Sequence, residues 1–285
     1  MDRALAPIFV FLWSTGFISA KLGLPFAEPL TFLCARYVLV IALMLAATRI
    51  FRAQWPNSRR DVMHIAMAGA LIQATYLGGV FMAIHQGLPA GLTALIVGLQ
   101  PIVTALAADW LLREKVTRAQ WMGLALGFCG VALVVLHSRT PGMSDAWNIS
   151  ALWPAIGALA GITLGTVYQK RFCPAFDLRT GAVIQFSASL LLTLPIAAAS
   201  ETLHIDWTAQ FVFALLWAVC MLSLTAISVL NILIRRGTAV HVTSLFYLTP
   251  PTTALIAWLL FNESLQALAL LGMALAVFGV WLSRR

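Results

Sequence analysis

The chain has 285 residues, of which 61% are hydrophobic and 10% charged, with a formal net charge of +8. An ordinary soluble domain carries about 25% charged residues, so this composition excludes a soluble globular protein and makes a bilayer the solvent. The basic residues punctuate apolar runs rather than gather on one face, which excludes a nucleic-acid patch.

A spanning helix needs about 20 mostly apolar residues. Ten runs meet that need: 4–22, 29–49, 62–85, 90–112, 119–136, 151–170, 180–199, 208–234, 239–260 and 267–283. The first carries Trp13, Ser14 and Phe17 at its centre. Its start resembles a secretory signal, with Arg3 before an apolar run, but it has no clear A-x-A site, so we expect it to be retained. The second holds Arg36, the one unambiguous charge inside a span, about two turns from its starting end. Such a charge is costly and is a functional candidate, able to attract a carboxylate. Snorkelling or pairing with a carbonyl is an equal reading. In the third, Gln73 and Tyr76 lie three apart on one face, and His85 closes it at the interface. The fourth carries Thr93, Val97, Gln100 and Thr104 in one stripe around Pro101. Asp109, near its end, pairs most simply with Arg113 or another loop cation. Gly123 and Gly127 on the fifth, and Gly157, Gly161 and Gly165 on the sixth, let backbones approach closely. The fifth-helix stripe is a packing or dimer face, and the sixth-helix stripe is a static or sliding contact. The sixth adds Thr163 and Thr166, the eighth Thr225 and Ser228. The ninth carries Phe246, Thr249 and Thr253 around Pro250 and Pro251. No pairing is read among Cys34, Cys129, Cys173 and Cys220, which sit in or at the end of separate apolar runs.

Alternating the spans places Arg3, Arg49, Arg52, Arg59, Arg60, Arg113, Lys115, Arg118, Lys170, Arg171, Arg179, Arg235, Arg236, Arg284 and Arg285 on one side. Only Lys21 and Arg139 fall on the other. The rich side is cytoplasmic, so both termini are predicted to face the cytoplasm of a multi-pass inner-membrane protein.

The sequence is also written twice. Residues 99–133 and 248–282 align without a gap at 14 of 35 positions, among them Pro101/Pro250, Glu114/Glu263, Gly123/Gly272 and Gly130/Gly279. The same shift of 149 pairs Gly16 with Gly165, Lys21 with Lys170, Pro25 with Pro174 and Thr31 with Thr180. Because five is odd, the second half enters the membrane from the opposite side. The expected fold is an all-α membrane protein of ten transmembrane helices in two inverted five-helix repeats, 1–140 and 149–285, a construction that suits alternating access. A duplication kept for packing alone is the plainer reading. Proline removes a helix hydrogen bond and pushes away the carbonyl four residues earlier, so the carbonyls of Val97 and Phe246 are predicted to be loosened beside a central site. A bare kink is the alternative.

Ten helices, inverted halves and paired P-x(12)-E-x(8)-G-x(6)-G blocks resemble the EamA family of the drug/metabolite transporter superfamily, nearest to its bacterial aromatic amino-acid exporters. The resemblance covers the whole chain. It implies export of amino acids or related metabolites. It also implies a cavity lined by helices one to four and six to nine, with helices five and ten peripheral.

The residues around the paired prolines are polar but uncharged, with aromatic faces, which suits a zwitterionic or neutral solute with an apolar side chain. Trp13, Ser14, Phe17, Arg36, Gln73, Tyr76, Thr93, Val97, Gln100, Thr163, Thr225, Ser228, Phe246 and Thr249 are the candidate substrate-binding residues, with Pro101 and Pro250 as helix breaks. For each, helix–helix hydrogen bonding is as good a reading. No G-x-S-x-G, H-E-x-x-H or membrane carboxylate cluster offers nucleophilic or metal chemistry, so no enzyme activity, cofactor or metal is expected. The expected partners are a small-molecule substrate and membrane lipid, with the chain a monomer or weak homodimer. Lipophilic-cation efflux and nucleotide-sugar-like transport remain the alternatives.

Overall fold

The computed structural model describes residues 2–88, 90–107, 115–137, 149–173, 176–261 and 267–283. Among them the chain is all-helical, apart from one isolated antiparallel bridge between Ala27 and Ile205. The helical stretches are α1 (Asp2–Gly23), α2 (Pro29–Ile50), α3 (Arg59–His85), α4 (90–107), α5 (Arg118–His137), α6 (Leu152–Phe172), α7 (Leu178–Ser200), α8 (Ala209–Arg236), α9 (239–261) and α10 (Ala267–Ser283). Asp109, Glu114, Arg139 and Glu263 lie outside the described residues, as do the side chains of Phe17 and Lys21.

Six of these helices, α2, α3, α5, α6, α7 and α8, are each long and apolar enough to cross a membrane. Shorter apolar helices run over Leu5–Gly16, Thr93–Ala107 and Ala267–Ser283. The sequence predicts ten spans of equal standing. The difference has a local cause in α4 and α9, which are interrupted where the prolines fall. α4 divides into Ala90–Val97 and Gln100–Ala107. α9 divides into Ala239–Ser244, a 3-10 stretch Leu245–Leu248, and Thr249–Phe261.

Burial follows what a bilayer demands. Leu191, Leu259 and Trp153 point outward, at 75%, 69% and 74% exposed, while Ser14, Gln73, Gln100 and Thr163 are buried. A soluble protein hides its large apolar side chains and shows its amides; here lipid takes the place of the core. The chain is a multi-pass membrane protein.

Helix starts are set by short polar residues that satisfy the orphan N–H groups of the first turn. Ser58 accepts from Arg60 N–H, Asp177 from Arg179 N–H, Thr208 from Phe211 N–H and Thr238 from His241 N–H. The cap of α2 comes instead from far along the chain. Glu201 accepts the N–H groups of Leu30 and Thr31 and the Thr31 hydroxyl, each at 2.7 Å. Glu28 in turn accepts the N–H and hydroxyl of Thr202, both at 2.6 Å. With the Ala27–Ile205 bridge and the bond from Asp206 N–H to the Phe26 carbonyl, these contacts clamp the α1–α2 loop to the α7–α8 loop.

α3 and α8 share a second irregularity. Each is π-helical in its middle, over Ala70–Leu77 and Ala218–Ala226. In each, a threonine hydroxyl bonds the carbonyl five residues earlier, Thr75 to Ala70 and Thr225 to Cys220. Such bulges are rare and gather at functional sites.

Small residues set the tight contacts. Gly123, Gly127 and Gly130 of α5 face Gly272, Gly279 and Ser283 of α10 and Tyr247 of α9, so a neighbour within the chain fills this stripe and it presents no dimer face. On α6, Gly161 and Gly165 lie against Leu71, Ile72 and Thr75 of α3, whereas Gly157 has open space beside it. α2 and α7 meet through Tyr37 and Phe186, ring centroids 5.6 Å apart.

Candidate functional site

The two helix breaks face one cavity of about 60 Å3, room for roughly four to six waters. α1 contributes Trp13; α3 contributes Tyr76, Val80 and Ile84; α4 contributes Thr93, Ala94, Val97, Gly98 and Gln100; α5 contributes Val131; and α9 contributes Phe246, Tyr247, Thr249 and Pro250. None of these side chains is charged. One wall is an aromatic cluster. Phe9, Trp13 and Phe246 lie with ring centroids 5.2–5.3 Å apart, Trp13 and Phe246 edge to face at 84°. Trp13 also hydrogen-bonds Tyr76, which ties α1 to α3 across the cavity.

The breaks are only partly relieved by the backbone. In α4, Leu99 N–H turns back to the Ile96 carbonyl at 3.1 Å. In α9, Thr249 N–H takes the Phe246 carbonyl. The carbonyl that Pro250 was expected to loosen is thus recovered by an i→i+3 bond, because tightening to 3-10 geometry brings the next free donor within reach.

Of the residues predicted to bind substrate, Trp13, Tyr76, Thr93, Val97, Gln100, Phe246 and Thr249 come together around the cavity, with Pro250 beside them. The others stand elsewhere. Ser14 is buried on the Val10 carbonyl at 2.7 Å and faces the Thr249 carbonyl at 3.3 Å, so it ties α1 to α9. Gln73 and Thr163 are buried, and their polar side-chain atoms have no partner among the described residues. Arg36 is buried away from the cavity lining, and its Nε–H donates to the Ser223 hydroxyl on α8 at 2.6 Å. Ser228 bonds the Leu224 carbonyl of its own helix. Thr225 is exposed, its hydroxyl turned back to Cys220 by the π-helical winding. That winding moves it off the face it would share with Ser228 on a regular helix. Pro101 is buried at the α4 break.

The lining also includes Val80, Ile84, Ala94, Gly98 and Val131, which sequence reasoning passed over, and Tyr247, which it read only as a carbonyl loosened by Pro251. All are apolar apart from the Tyr247 hydroxyl. Only Tyr247, next to Phe246 and four residues before Pro251, carried a signal that could have found it. Val131 belongs to the fifth helix, expected to be peripheral, while α2, α6, α7 and α8 contribute nothing to this lining. The α5 glycines explain it. Gly127 has no side chain where Tyr247 sits, so α5 comes close enough for Val131 to close the wall.

A second cavity opens beside the clamp between the α1–α2 and α7–α8 loops, lined by Glu28, Phe81, His85, Thr202, His204 and Asp206 among others. Among the described residues, no group of three or more His, Cys, Asp or Glu is placed to hold a metal ion.

The EamA-like transporter family matches this sequence twice, over residues 4–136 and 149–285. The chain belongs to the EamA-like transporter family. It is 26% identical over 284 residues to the uncharacterized inner membrane transporter YedA of Escherichia coli strain K12, covering 98% of this chain and 90% of that protein. It is 25% identical over 293 residues to a probable amino-acid metabolite efflux pump of the same strain, covering 99% and 94%. A crystal structure that covers 98% of this chain and 94% of its own superposes with a TM-score of 0.79 at 17% identity, a likeness of fold. This EamA-family chain is therefore a membrane transporter, and its cavity is the place to ask what it carries.

Proposed function

We propose that this transporter exports small amino-acid-like metabolites across the inner membrane, by alternating access between inverted halves 1–140 and 149–285, with ten spans and both termini cytoplasmic. The observation that carries this reading is the uncharged, aromatic-walled cavity at the paired breaks of α4 and α9. Aromatic faces hold an apolar side chain, and the few polar groups suit a zwitterion better than a cation. A lipophilic cation would favour a carboxylate, and among the described residues none lines the cavity.

Several pairings 149 residues apart support the inverted arrangement. The π-helical stretches end at Leu77 and Ala226. The second parts of the broken helices begin at Gln100 and Thr249. Tyr37 touches Phe186, its own counterpart. Gly130 faces Gly272 as Gly279 faces Gly123, the same contact with both members exchanged. α3 of one half packs on α6 of the other through Gly161 and Gly165, and we assign the sliding contact to this seam. The cavity as it stands is smaller than an amino acid, so loading follows separation of the halves. Arg36, buried beside Ser223 and outside the cavity lining, offers its charge to a solute carboxylate on the exit side of the path.

The test is uptake of labelled amino acids by proteoliposomes, with and without a pH gradient. Saturable movement of apolar or aromatic amino acids supports the reading. Movement of nucleotide sugars or lipophilic cations with no amino-acid flux overturns it, leaving the fold intact.

A further inference from the structure

We infer that Gln100 and Thr249 together grip the charged end of the solute, making the cavity selective for neutral zwitterions; this rests on the amino-acid reading above. Both side chains line the cavity, at 0% and 5% exposure. Yet both amide atoms of Gln100 and the hydroxyl of Thr249 have no partner among the described residues. A buried amide left unpaired is destabilising and native proteins rarely leave one so. The Tyr247 hydroxyl, also in the lining, is a third such group, and three of them in one cavity mark a site built to bond a polar solute.

Their position sharpens the assignment. Each is the first residue of the helix that resumes after a break, Gln100–Ala107 and Thr249–Phe261. A helix start normally offers free N–H groups and a partial positive charge. Here Pro101 follows Gln100, and Pro250 and Pro251 follow Thr249, so those positions have no N–H to offer. Thr249 N–H is already spent on Phe246. At the proline positions the side chains of Gln100 and Thr249 stand beside the missing backbone donors. The glutamine amide supplies N–H donors and one carbonyl acceptor, and the threonine hydroxyl supplies a donor. A carboxylate takes bonds from the Gln100 amide N–H and the Thr249 hydroxyl, favoured by the two helix starts. An ammonium group donates to the Gln100 carbonyl. The apolar remainder lies against Trp13, Phe246 and Val131. With no charged side chain in the lining among the described residues, an additional charge on the solute stays unpaired and is rejected.

Full-length wild type, Gln100→Leu and Thr249→Val are reconstituted and compared for uptake of labelled L-phenylalanine, L-lysine, L-glutamate and phenethylamine, and for melting temperature in detergent. The expected result is wild-type preference for phenylalanine over the other three. Each substitution should weaken phenylalanine uptake about tenfold, chiefly through KM, the loss of one buried hydrogen bond. Melting temperature should hold or rise, because an unpaired buried polar group has been removed. Wild-type uptake of phenethylamine or lysine equal to that of phenylalanine overturns the inference while amino-acid transport stands. So do variants that carry phenylalanine normally, or that lose uptake together with a fallen melting temperature, which would make both residues packing groups. A wild type that moves no member of the panel removes the transport reading and the inference together.

Discussion

The carbonyl oxygen of Gly272 stands 2.5 Å from where a Cβ on Gly130 would lie, and the Gly130 carbonyl stands 2.6 Å from the matching point on Gly272. Gly123 and Gly279 repeat the relation, each carbonyl 2.6 Å from the other's Cβ position. Backbone therefore meets backbone between α5 and α10, and no flexible side chain can yield. Gly130→Ala and Gly272→Ala should each destabilise the protein by about 1–3 kcal/mol through overpacking. Gly123→Ala and Gly279→Ala should do the same. Gly157→Ala, with open space beside it, should be neutral or stabilising by up to about 1 kcal/mol. Melting curves in detergent decide it, and unaltered melting in the α5–α10 variants would show that the helices have room to part.

The Arg36–Ser223 bond joins the two halves. Ser223→Ala leaves the buried Nε–H without its acceptor, and hydrogen bonds to charged groups contribute about 1.5–3 kcal/mol. A destabilisation of that order, read as a lowered melting temperature, is expected. Arg36→Met with Ser223→Ala should recover part of it, since replacing both partners costs less than removing one. A double variant no better than Ser223→Ala alone would place Arg36's main partner elsewhere.

At the aromatic wall, Trp13→Ala and Phe246→Ala each delete one member of a contact that contributes about 0.5–1.5 kcal/mol. KM for L-phenylalanine should rise several-fold in each single variant. The double variant should lose less than the sum, because the two rings share one contact. Equal effects on L-alanine and L-phenylalanine would remove the stacking role.

Below the usual carboxylate range the loop clamp should loosen. The hydroxyl and N–H of Thr202 hold the Glu28 carboxylate below its ordinary pKa, with a smaller contribution from His85. A depressed acid contributes stability above its unfolded pKa of about 4.3 and loses it as pH falls through the lower folded value. Protection of the amides across 199–206, measured relative to the intrinsic exchange rate at each pH, should therefore fall on acidification below about pH 4. Thr202→Val should move that onset to higher pH. An unchanged onset would mean that Glu201 and the Ala27–Ile205 bridge hold the clamp alone.

Helix positions were legible because length and hydropathy are local properties. The ends of α2, at Pro29 and Ile50, fall within one residue of the run predicted at 29–49. The helix breaks were legible because proline lacks a donor whatever surrounds it. The π-helical stretches were not, since nothing in ALIQATYL or AVCMLSLTA distinguishes them from regular helix, and they displaced Thr225. Arg36 stood out as a charge, but its partner Ser223 lies 187 residues away. Apolar lining such as Val80 and Val131 could not be told from core, because membrane helices are apolar on every face.

The α5–α10 contact also bears on how the chain is made. α5 is complete at residue 137, whereas α10 begins only at residue 267. During synthesis, which proceeds from the N-terminus, the glycine face of α5 must wait in lipid with no helix against it. Completion of α10 closes that seam, so the α5–α10 contact forms only once α10 has been made.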